Sequence, residues 1–352
     1  MSAREFLLDQ WARHPASRLQ DLQKALYQST FGCGHLVDDP SAAADWIRRE
    51  AEHAPDCREM EPLDGPWCRV PLGILSEGLT PETLAAAFAQ SAAVPGEDIP
   101  ALEDRLAVLM GLIREGTLPF DPAAAAAEIA AWRAAGFPAC HHSEDYRNAY
   151  HPAYRVLHKR YAHLLPLLAA IDRALGSKPR MLLAIERGSA RGKSTLAELL
   201  TGIYPDAALF HADDYFLRPE QRTPERFAQP GGNMDRERLE AEILAPLSRG
   251  GDVVYRPFDC KTMSLSEPRR SRAARLNIVE GSYSLHPALE PYYDLSVFLE
   301  ISPESQRRRV LERNGPEWGQ MFFDRWIPLE NTYFQATRTA ERCTLRLKEE
   351  TE

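Results

Sequence analysis

The stretch Met181–Leu200, MLLAIERGSARGKSTLAELL, sets the expectation for the fold of the second half of the chain. It opens with a short apolar run, Met181 to Ile185, of the kind that forms a buried strand. A tight turn follows, and Gly192, Lys193 and Ser194 then lead into a helix with an apolar face. Strand, glycine turn, Gly-Lys-Ser and helix in this order indicate a phosphate-binding loop, the P-loop.

The P-loop predicts a binding site for ATP and Mg²⁺. Backbone N–H groups of the loop and of the following helix N-terminus point into one concavity, which suits a polyphosphate chain. Lys193 is expected to reach the β- and γ-phosphates, and the Ser194 hydroxyl is expected to ligate Mg²⁺. The residues predicted to bind the nucleotide are consecutive: Gly188, Ser189, Ala190, Arg191, Gly192, Lys193, Ser194 and Thr195.

One residue of the loop departs from the usual pattern. Arg187 stands where G-x-x-x-x-G-K-[ST] has its first glycine, and the glycine in that half of the loop is Gly188. An arginine here has to tolerate a backbone geometry that usually favours glycine. The alternative interpretation is a chance Gly-Lys-Ser in a strand–helix turn, and the motifs further along the chain argue against it.

Length and charge restrict the classes of protein that the chain can represent. With 352 residues it is long enough for two domains with separate cores. A net charge of −9 does not favour binding to nucleic acid or to a membrane surface. The sequence lacks an apolar run of about 18 residues and a signal-peptide pattern, which predicts no membrane span and no secretion. Scattered cysteines predict reduced thiols in the cytoplasm, and the oligomeric state stays open, with a homodimer as one option.

Residues 1–176 are predicted to form a mostly α-helical domain, and residues 177–352 an α/β domain. The polar sequence Gly-Ser-Lys-Pro at 176–179 marks the boundary. The elements predicted in the first domain are helices over residues 15–31, 41–53 and 153–175, helices that start after Thr80 and Asp121, and a short strand over residues 67–72.

The second domain alternates strands and helices. Its apolar runs predict five strands, at residues 181–185, 207–211, 276–280, 295–301 and 344–348. Helices over residues 236–249 and 303–313 fit between them. This alternation predicts a parallel sheet with helices on both faces, in which ligands bind at the carboxyl ends of the strands.

Chemically active residues follow the predicted strands. Asp213 and Asp214 come directly after the second strand, Glu280 ends the third, and arginines over 307–313 follow the fourth. The arrangement suits phosphoryl transfer, in which the protein mainly positions groups and neutralises charge. One carboxylate can orient the acceptor hydroxyl and take its proton, a second can hold Mg²⁺, and lid arginines can stabilise the phosphates.

Four segments carry a family resemblance: Asp213-Asp214-Tyr215-Phe216, Asn233-Met234-Asp235, Val279-Glu280-Gly281 and the lid segment Arg307 to Arg313. Together they make residues 180–348 resemble the uridine kinase and phosphoribulokinase-like branch of the P-loop small-molecule kinases. The resemblance implies an ATP-dependent kinase that phosphorylates a hydroxyl group of a small molecule. The roles it implies are Asp213 as catalytic base, Lys193 as phosphate clamp, Ser194 and Glu280 as Mg²⁺ organisers, Arg309 and Arg313 as lid arginines, and Tyr215 and Asp235 as acceptor-site residues.

The segment expected to recognise the acceptor differs from the family. The family has Tyr-Asp-Phe-Val-Thr-His-Ser, which recognises a pyrimidine, and this chain reads FDCKTMS over residues 258–264. Met263 replaces the histidine, and a thioether is a poor hydrogen-bond partner for a uracil edge. Phe258, Asp259 and Lys261 are predicted to contact the acceptor. Since Lys261 adds a cation that a neutral nucleoside does not need, plain uridine is disfavoured and an anionic acceptor is an option.

Several of these residues have a second interpretation. Asp213 and Asp214 could cap the next helix, and Asp235 could equally well be the N-cap of the helix that starts at Arg236. The arginines over 307–313 could form a solvated helix face. For the whole protein, the alternative is an ATP-sensing regulatory or binding protein, which needs no acceptor-facing Asp213.

The N-terminal half allows three hypotheses. The first is a zinc site made of Cys33, His35, Cys140 and a histidine, although the spacing matches no closed structural pattern. The second is that His35 and His151 help to line the acceptor pocket. The third is a helical domain whose partly buried histidines and tyrosines are satisfied by hydrogen bonds. The sequence favours the last two without separating them.

Overall fold

The structure is a computed structural model that describes residues 2–34, 40–189 and 193–348, without the side chains of residues 40, 41, 193 and 194. The chain divides into two compact units, Met1–Ala169 and Ala170–Glu352. Where it is described, no helix is long and apolar enough to cross a membrane. All six cysteines are free thiols.

The N-terminal unit is mostly helical, as predicted. Its helices are Ala3–Arg13, Leu19–Phe31, Pro40–Ala51, Pro81–Ala92, Ile99–Arg114, Pro122–Ala134, Glu144–Tyr150 and Lys159–Ala162, with a 3-10 helix at Leu72–Glu77. The side chains of Thr80 and Asp121 accept hydrogen bonds from the N–H groups of Thr83 and Ala124, so both predicted helix starts are confirmed.

A three-stranded antiparallel sheet accompanies these helices. Trp67–Pro71 is the central strand, between Glu61–Pro62 and Tyr154–His158. The strand expected near residue 67 is therefore confirmed. Trp67 is completely buried, and a Cβ at Gly32 would lie 2.3 Å from its indole ring. Only glycine allows the chain to pass this close, which explains the glycine in the turn after Phe31.

The long helix expected over residues 153–175 is wrong in its first third. Tyr154–His158 is extended and pairs with Trp67–Pro71, where it buries Val156 and Leu157. Pairing with a strand that lies far away in the sequence outweighs local helix periodicity. The helical pattern is realised later, in the short helix Lys159–Ala162 and in the helix Leu165–Ser177.

The C-terminal unit is built on a five-stranded parallel sheet. In chain order its strands are Met181–Glu186, Ala208–His211, Leu276–Gly281, Leu295–Glu300 and Leu345–Lys348. We call them the first to the fifth strand; their order in the sheet is fifth, fourth, first, third, second. All neighbouring pairs are parallel, so the predicted α/β fold and all five predicted strands are confirmed.

Helices and two small hairpin-like pairs surround this sheet. The longer helical stretches are Lys193–Ile203, Arg236–Ser248 in three consecutive segments, Pro303–Met321 and Ile327–Thr337. Within Pro303–Met321 the φ of Gly315 is 72° and Pro316 follows, so the helix is interrupted there. The antiparallel pairs are Val253–Tyr255 with Arg269–Ser271, and Phe258–Asp259 with Ser264–Leu265.

Candidate active site

A cavity of about 400 Å³ lies at the carboxyl ends of the first three strands. Ser189 follows the first strand, Asp213 the second, and Ser282 and Tyr283 the third. The residues that line it are Ser189, Asp213, Phe216, Leu217, Arg222, Phe227, Asn233, Cys260, Met263, Ser282, Tyr283, Arg313, Phe322, Arg325, Trp326 and Glu330. The volume suits a small molecule, and the position is the usual ligand site of a parallel α/β sheet.

Asp213 is held at the cavity by a close contact between two backbone segments. It lies in the 3-10 turn Ala212–Tyr215, and its side chain is exposed toward the cavity. A Cβ at Gly281 would come within 2.3 Å of the Cβ of Ala212, and the φ of Gly281 is +154°. Because Gly281 has no side chain, the turn can approach the third strand. The Glu-Gly of the third motif thus positions the Asp-Asp of the first.

Glu280 forms an acid–base pair with His211 on the neighbouring strand. The two residues are register partners, and Nδ1 of His211 lies 2.6 Å from Oε1 of the buried Glu280. This hydrogen bond raises the pKa of His211 above its ordinary value. The contact fixes the orientation of the Glu280 carboxylate at the carboxyl end of the strand.

A buried carboxylate that sequence reasoning missed contacts the P-loop. Glu330, on the helix Ile327–Thr337, accepts hydrogen bonds from the backbone N–H of Ser189 at 2.9 Å and from its hydroxyl at 2.6 Å. The Ser282 hydroxyl lies 3.0 Å from the same carboxylate. A signal was present in the sequence, since a lone glutamate within the apolar run WIPLENTYF must find partners if that run is buried.

Glu186 anchors the end of the first strand. Its carboxylate, completely buried, accepts hydrogen bonds from the backbone N–H groups of Tyr283 at 2.9 Å and Leu285 at 2.8 Å. The Tyr333 hydroxyl donates to it at 3.2 Å. Tyr283 has a left-handed φ of 70°, a strained conformation for a tyrosine that these contacts stabilise. Sequence analysis placed the strand end at Ile185 and so overlooked this anchor.

Arg187 does not adopt the backbone conformation that the glycine pattern suggests. The described non-glycine residues with positive φ do not include it. It is buried, and its carbonyl accepts a hydrogen bond from the Ser282 hydroxyl at 2.9 Å. The departure from the glycine pattern therefore causes no left-handed strain.

The predicted nucleotide-binding residues are described only in part. Ala190, Arg191 and Gly192 lie outside the described residues, as do the side chains of Lys193 and Ser194. Ser189 lines the cavity, and Thr195 is exposed near the start of the helix Lys193–Ile203. Gln306 adds a contact from the helix Pro303–Met321, because its side-chain amide donates to the Ser189 carbonyl at 3.2 Å.

Two residues predicted at the acceptor have structural partners outside the cavity lining. Tyr215 is completely buried; its hydroxyl donates to Glu242 at 3.3 Å, and the Arg238 guanidinium lies 4.3 Å from its ring centroid. Asp235 is the N-cap of the helix that starts at Arg236, and it accepts from the Arg238 N–H at 3.3 Å. In the Asn-Met-Asp segment it is Asn233 that lines the cavity.

The FDCKTMS segment forms a tight hairpin beside the cavity. Phe258 is buried, with the Arg222 guanidinium 5.7 Å from its ring centroid. Asp259 accepts a hydrogen bond from the Lys261 N–H at 2.7 Å, and Lys261 is exposed. None of these predicted acceptor residues is among the cavity lining, to which the hairpin contributes Cys260 and Met263.

The charges that line the cavity are mainly guanidinium groups. Arg313, predicted as a lid arginine, is joined by Arg222 and Arg325, which sequence reasoning missed. Arg309 is half-buried on the same helix as Arg313 and is not among the lining residues. Arg325 lies 5.9 Å from the ring centroid of Phe227. Among the described residues, three guanidinium groups and two carboxylates, those of Asp213 and Glu330, line the cavity.

The zinc hypothesis for the N-terminal unit finds no support in the described residues. These residues contain no group of three or more His, Cys, Asp and Glu side chains that could hold a metal ion. His35 lies outside the description. Cys33 is completely buried, and burial raises the pKa of its thiol to about 12.

No family model matches the chain, and no curated protein matches it. Solved structures similar to it include a possible uridine kinase from Bacillus stearothermophilus, 20% identical, with 51% of this chain and 98% of that chain covered and a TM-score of 0.39. Another is a candidate fructose transport system kinase from Silicibacter sp. TM1040, 19% identical, with 51% and 97% covered and a TM-score of 0.35. At these identities the likeness concerns the fold alone. The C-terminal half has a five-stranded parallel sheet flanked by helices, and the P-loop sequence follows the first strand. This is the P-loop kinase fold that the motifs predicted.

Proposed function

We propose that the protein is an ATP-dependent kinase that transfers a phosphoryl group to a hydroxyl of a small molecule. The observation that carries this proposal is the Asp213 carboxylate, which faces a cavity that the P-loop residue Ser189 and the lid residue Arg313 also line. A base, a phosphate-binding loop and a cation in one small cavity are the parts that phosphoryl transfer requires.

Asp213 acts as the base in this proposal. It orients the acceptor hydroxyl and takes its proton as the oxygen attacks the γ-phosphorus of ATP, whose bond to the bridging oxygen breaks to release ADP. Arg313 stabilises the charge that develops on the transferred group. Lys193 would hold the β- and γ-phosphates from the P-loop.

Oxygen donors of the kind that Mg²⁺ prefers lie after the first strand and near the end of the third strand in the sequence. Ser194 would supply a hydroxyl, and Glu280 a carboxylate that His211 orients through the 2.6 Å contact. When bound, the ion would neutralise phosphate charge and orient the two terminal phosphates. Arg309 would support the lid from the same helix as Arg313.

The acceptor in this proposal is a hydroxyl compound with an anionic group and an apolar part. Arg222 and Arg325 supply positive charge that a neutral sugar or nucleoside does not need, and Phe216, Phe227 and Trp326 provide an apolar wall. Lys261 and Asp259 would reach the acceptor only from the hairpin beside the cavity.

The test is acceptor-dependent release of ADP from Mg·ATP. Hydroxy acids, sugar phosphates, nucleosides and neutral sugars are offered in parallel to the full chain. We expect stimulation by an anionic hydroxyl compound and none by its neutral analogue. Stimulation by neutral compounds alone would contradict the proposed acceptor class, and tight ATP binding with no stimulation by any compound would contradict the kinase.

An ATP-sensing regulatory protein is the second candidate, and one contact favours it. The Ser189 N–H, a P-loop donor of the kind that binds phosphate, is bonded to Glu330 within the protein. Such a contact could exchange with nucleotide and so report its presence. A sensor releases ADP at a slow basal rate that no acceptor changes, so the same assay separates the two candidates.

A further inference from the structure

The N-terminal unit contains a cavity of about 670 Å³ that the proposed kinase chemistry does not use. The helices Leu19–Phe31, Pro40–Ala51 and Glu144–Tyr150 and the strand Tyr154–His158 all contribute to its lining. We call it the Lys24 cavity, after the cation on the first of these helices.

The floor of the Lys24 cavity is a rigid polar network. His142 is buried and stacks on Tyr146, with ring centroids 4.0 Å apart. Its Nδ1 lies 2.9 Å from Asp21 and its Nε2 lies 2.6 Å from the Tyr154 hydroxyl. The guanidinium of the buried Arg69 lies 5.0 Å from the Tyr154 ring centroid. Side chains fixed in this way lose little entropy when a ligand binds.

Two cations stand at this floor with only neutral hydrogen-bond acceptors. The Lys24 ammonium donates to the Cys140 carbonyl at 2.7 Å, and the Arg147 Nε donates to the His142 carbonyl at 3.0 Å. In the part of the chain that the structure describes, neither has a carboxylate within 4.0 Å. Because both are tied to the segment 140–142, they lie on the same side of the cavity.

The surrounding acids compensate these cations only in part. The charge of Asp21 favours the charged form of Lys24, but the hydrogen bonds of the Asp21 carboxylate go to His142 and to the N–H and hydroxyl of Ser143. Glu50 lies in the lining, but both of its oxygens accept from Arg155, at 2.8 and 3.1 Å. Burial, with Arg69 nearby, lowers the pKa of Lys24 to about 8. A desolvated ammonium of this kind gains most from an anionic partner.

An apolar wall and a strained residue complete the cavity. Trp46, whose surface is 56% exposed, and Phe88 lie in the lining. His151, also in the lining, has a left-handed φ of 45° at the end of the helix Glu144–Tyr150.

We propose that the Lys24 cavity binds a small organic anion, whose phosphate or carboxylate group contacts Lys24 and Arg147 and whose apolar part packs on Trp46 and Phe88. Charge excess and an aromatic wall select an anion that carries a ring or a short apolar chain. The site is built from the N-terminal unit and does not depend on the kinase assignment.

Calorimetric titration of the full chain tests the proposal, with phenyl phosphate, benzoate and neutral benzyl alcohol as probes. We expect at least one of the two anions to bind and benzyl alcohol not to bind. The anion with the higher affinity shows whether the site prefers a phosphate or a carboxylate group. Arg147→Gln, an exposed change that leaves the core intact, and Lys24→Gln should each weaken binding by about tenfold or more. Arg114→Gln removes the same charge from an exposed position in the same unit and should leave binding unchanged.

The outcomes separate this site from the cavity of the C-terminal unit. Arg313→Gln should not alter binding of the probe if the Lys24 cavity holds it. Loss of binding in Arg313→Gln with full binding in Arg147→Gln would overturn the proposal. Equal affinity for benzyl alcohol and the anions, or no binding at millimolar concentrations, would overturn it too.

Discussion

Two buried carboxylates of the C-terminal unit and a buried arginine of the N-terminal unit differ in the partners that they bind. In the C-terminal unit, the buried carboxylates of Glu186 and Glu330 accept from backbone N–H groups and hold the loops, while arginines face the cavity. In the N-terminal unit, the buried Arg69 is matched inside the fold by Glu61 at 2.9 Å. In the C-terminal unit, buried carboxylates thus hold loops around a cavity, whereas in the N-terminal unit a buried arginine is bonded within the core.

This difference explains why the sequence predicts some of the cavity residues of the C-terminal unit but not the polar network of the N-terminal unit. A P-loop and its partners follow strands at short, recognisable spacings, so chain order alone brings Asp213 and Ser189 together. The Arg69 network joins helix Ala3–Arg13, helix Leu19–Phe31 and two strands. A local sequence pattern cannot predict such a set of contacts, because most of them join residues that lie far apart in the chain.

Replacement of Asp213 is expected to have the largest effect on activity, and it tests whether the cavity of the C-terminal unit is the active site. Asp213→Asn should leave the Kd for ATP nearly unchanged and lower acceptor-dependent turnover by roughly 10²-fold or more, because the amide cannot accept the acceptor proton. The measurement is ADP release at saturating ATP and acceptor. The control is Asp214→Asn, in the same 3-10 turn but outside the cavity lining, which should keep most of the activity. Full turnover in the Asp213→Asn variant would show that the base lies elsewhere.

The limits of sequence prediction follow from the same contrast. All five strands and the cavity position of Asp213 and Arg313 could be expected from periodicity and motif order. The sequence signals that Glu330 needs partners but not that its partner is the P-loop, because the contact joins residues 141 positions apart. Arg222 and Arg325 lie in segments that match no motif. The sequence predicts helix for the strand Tyr154–His158, because local periodicity does not contain its pairing partner Trp67–Pro71, which decides its conformation.

The closed network of the N-terminal unit predicts acid sensitivity. The pKa of His142 is lowered from 6.5 to about 4, chiefly by burial. The charges of Arg69 and Lys24 also lower this pKa, whereas Asp21 raises it without cancelling the effect of burial. Between those values the unfolded chain binds a proton that the folded chain does not, so stability falls as pH decreases from 6.5 toward 4. Burial alone would raise the pKa of Asp21, but hydrogen bonds from His142 and Ser143 outweigh it and lower that pKa to about 2, so a further loss follows below 3.8.

Urea unfolding between pH 4 and pH 7, followed by tryptophan fluorescence, measures this effect, which should be about 1 to 2 kcal/mol near the middle of the window. His142→Gln should lower stability at pH 7 and flatten its pH dependence in this window. His53→Gln, at an exposed position in the same unit, should leave the pH profile unchanged. A profile in His142→Gln as steep as in the wild type would assign the acid sensitivity to other groups.

The smallest expected effect concerns the contact between Glu330 and the P-loop. Glu330→Gln keeps an oxygen that can accept from the Ser189 hydroxyl and removes one negative charge beside the phosphate site. A carboxylate and a polyphosphate repel each other by on the order of 1 kcal/mol at contact range even with the screening of bulk water, which is a lower limit for the buried Glu330. We therefore expect the Kd for ATP to fall by roughly fivefold, measured by calorimetry without acceptor.

The direction of this change decides what the carboxylate does. If Glu330 mainly holds the loop in shape, its loss loosens Ser189, and the Kd for ATP rises instead of falling. Glu317→Gln, an exposed position on the helix Pro303–Met321, controls for the general removal of charge and should leave the Kd within about twofold of the wild type, since solvent screens a distant charge. Tighter binding in Glu330→Gln alone would show that nucleotide has to displace the carboxylate from the P-loop. The comparison would then extend to the two cavities: a carboxylate of the protein occupies the P-loop donor of one unit, whereas Lys24 and Arg147 of the other unit form no ion pair with a described carboxylate.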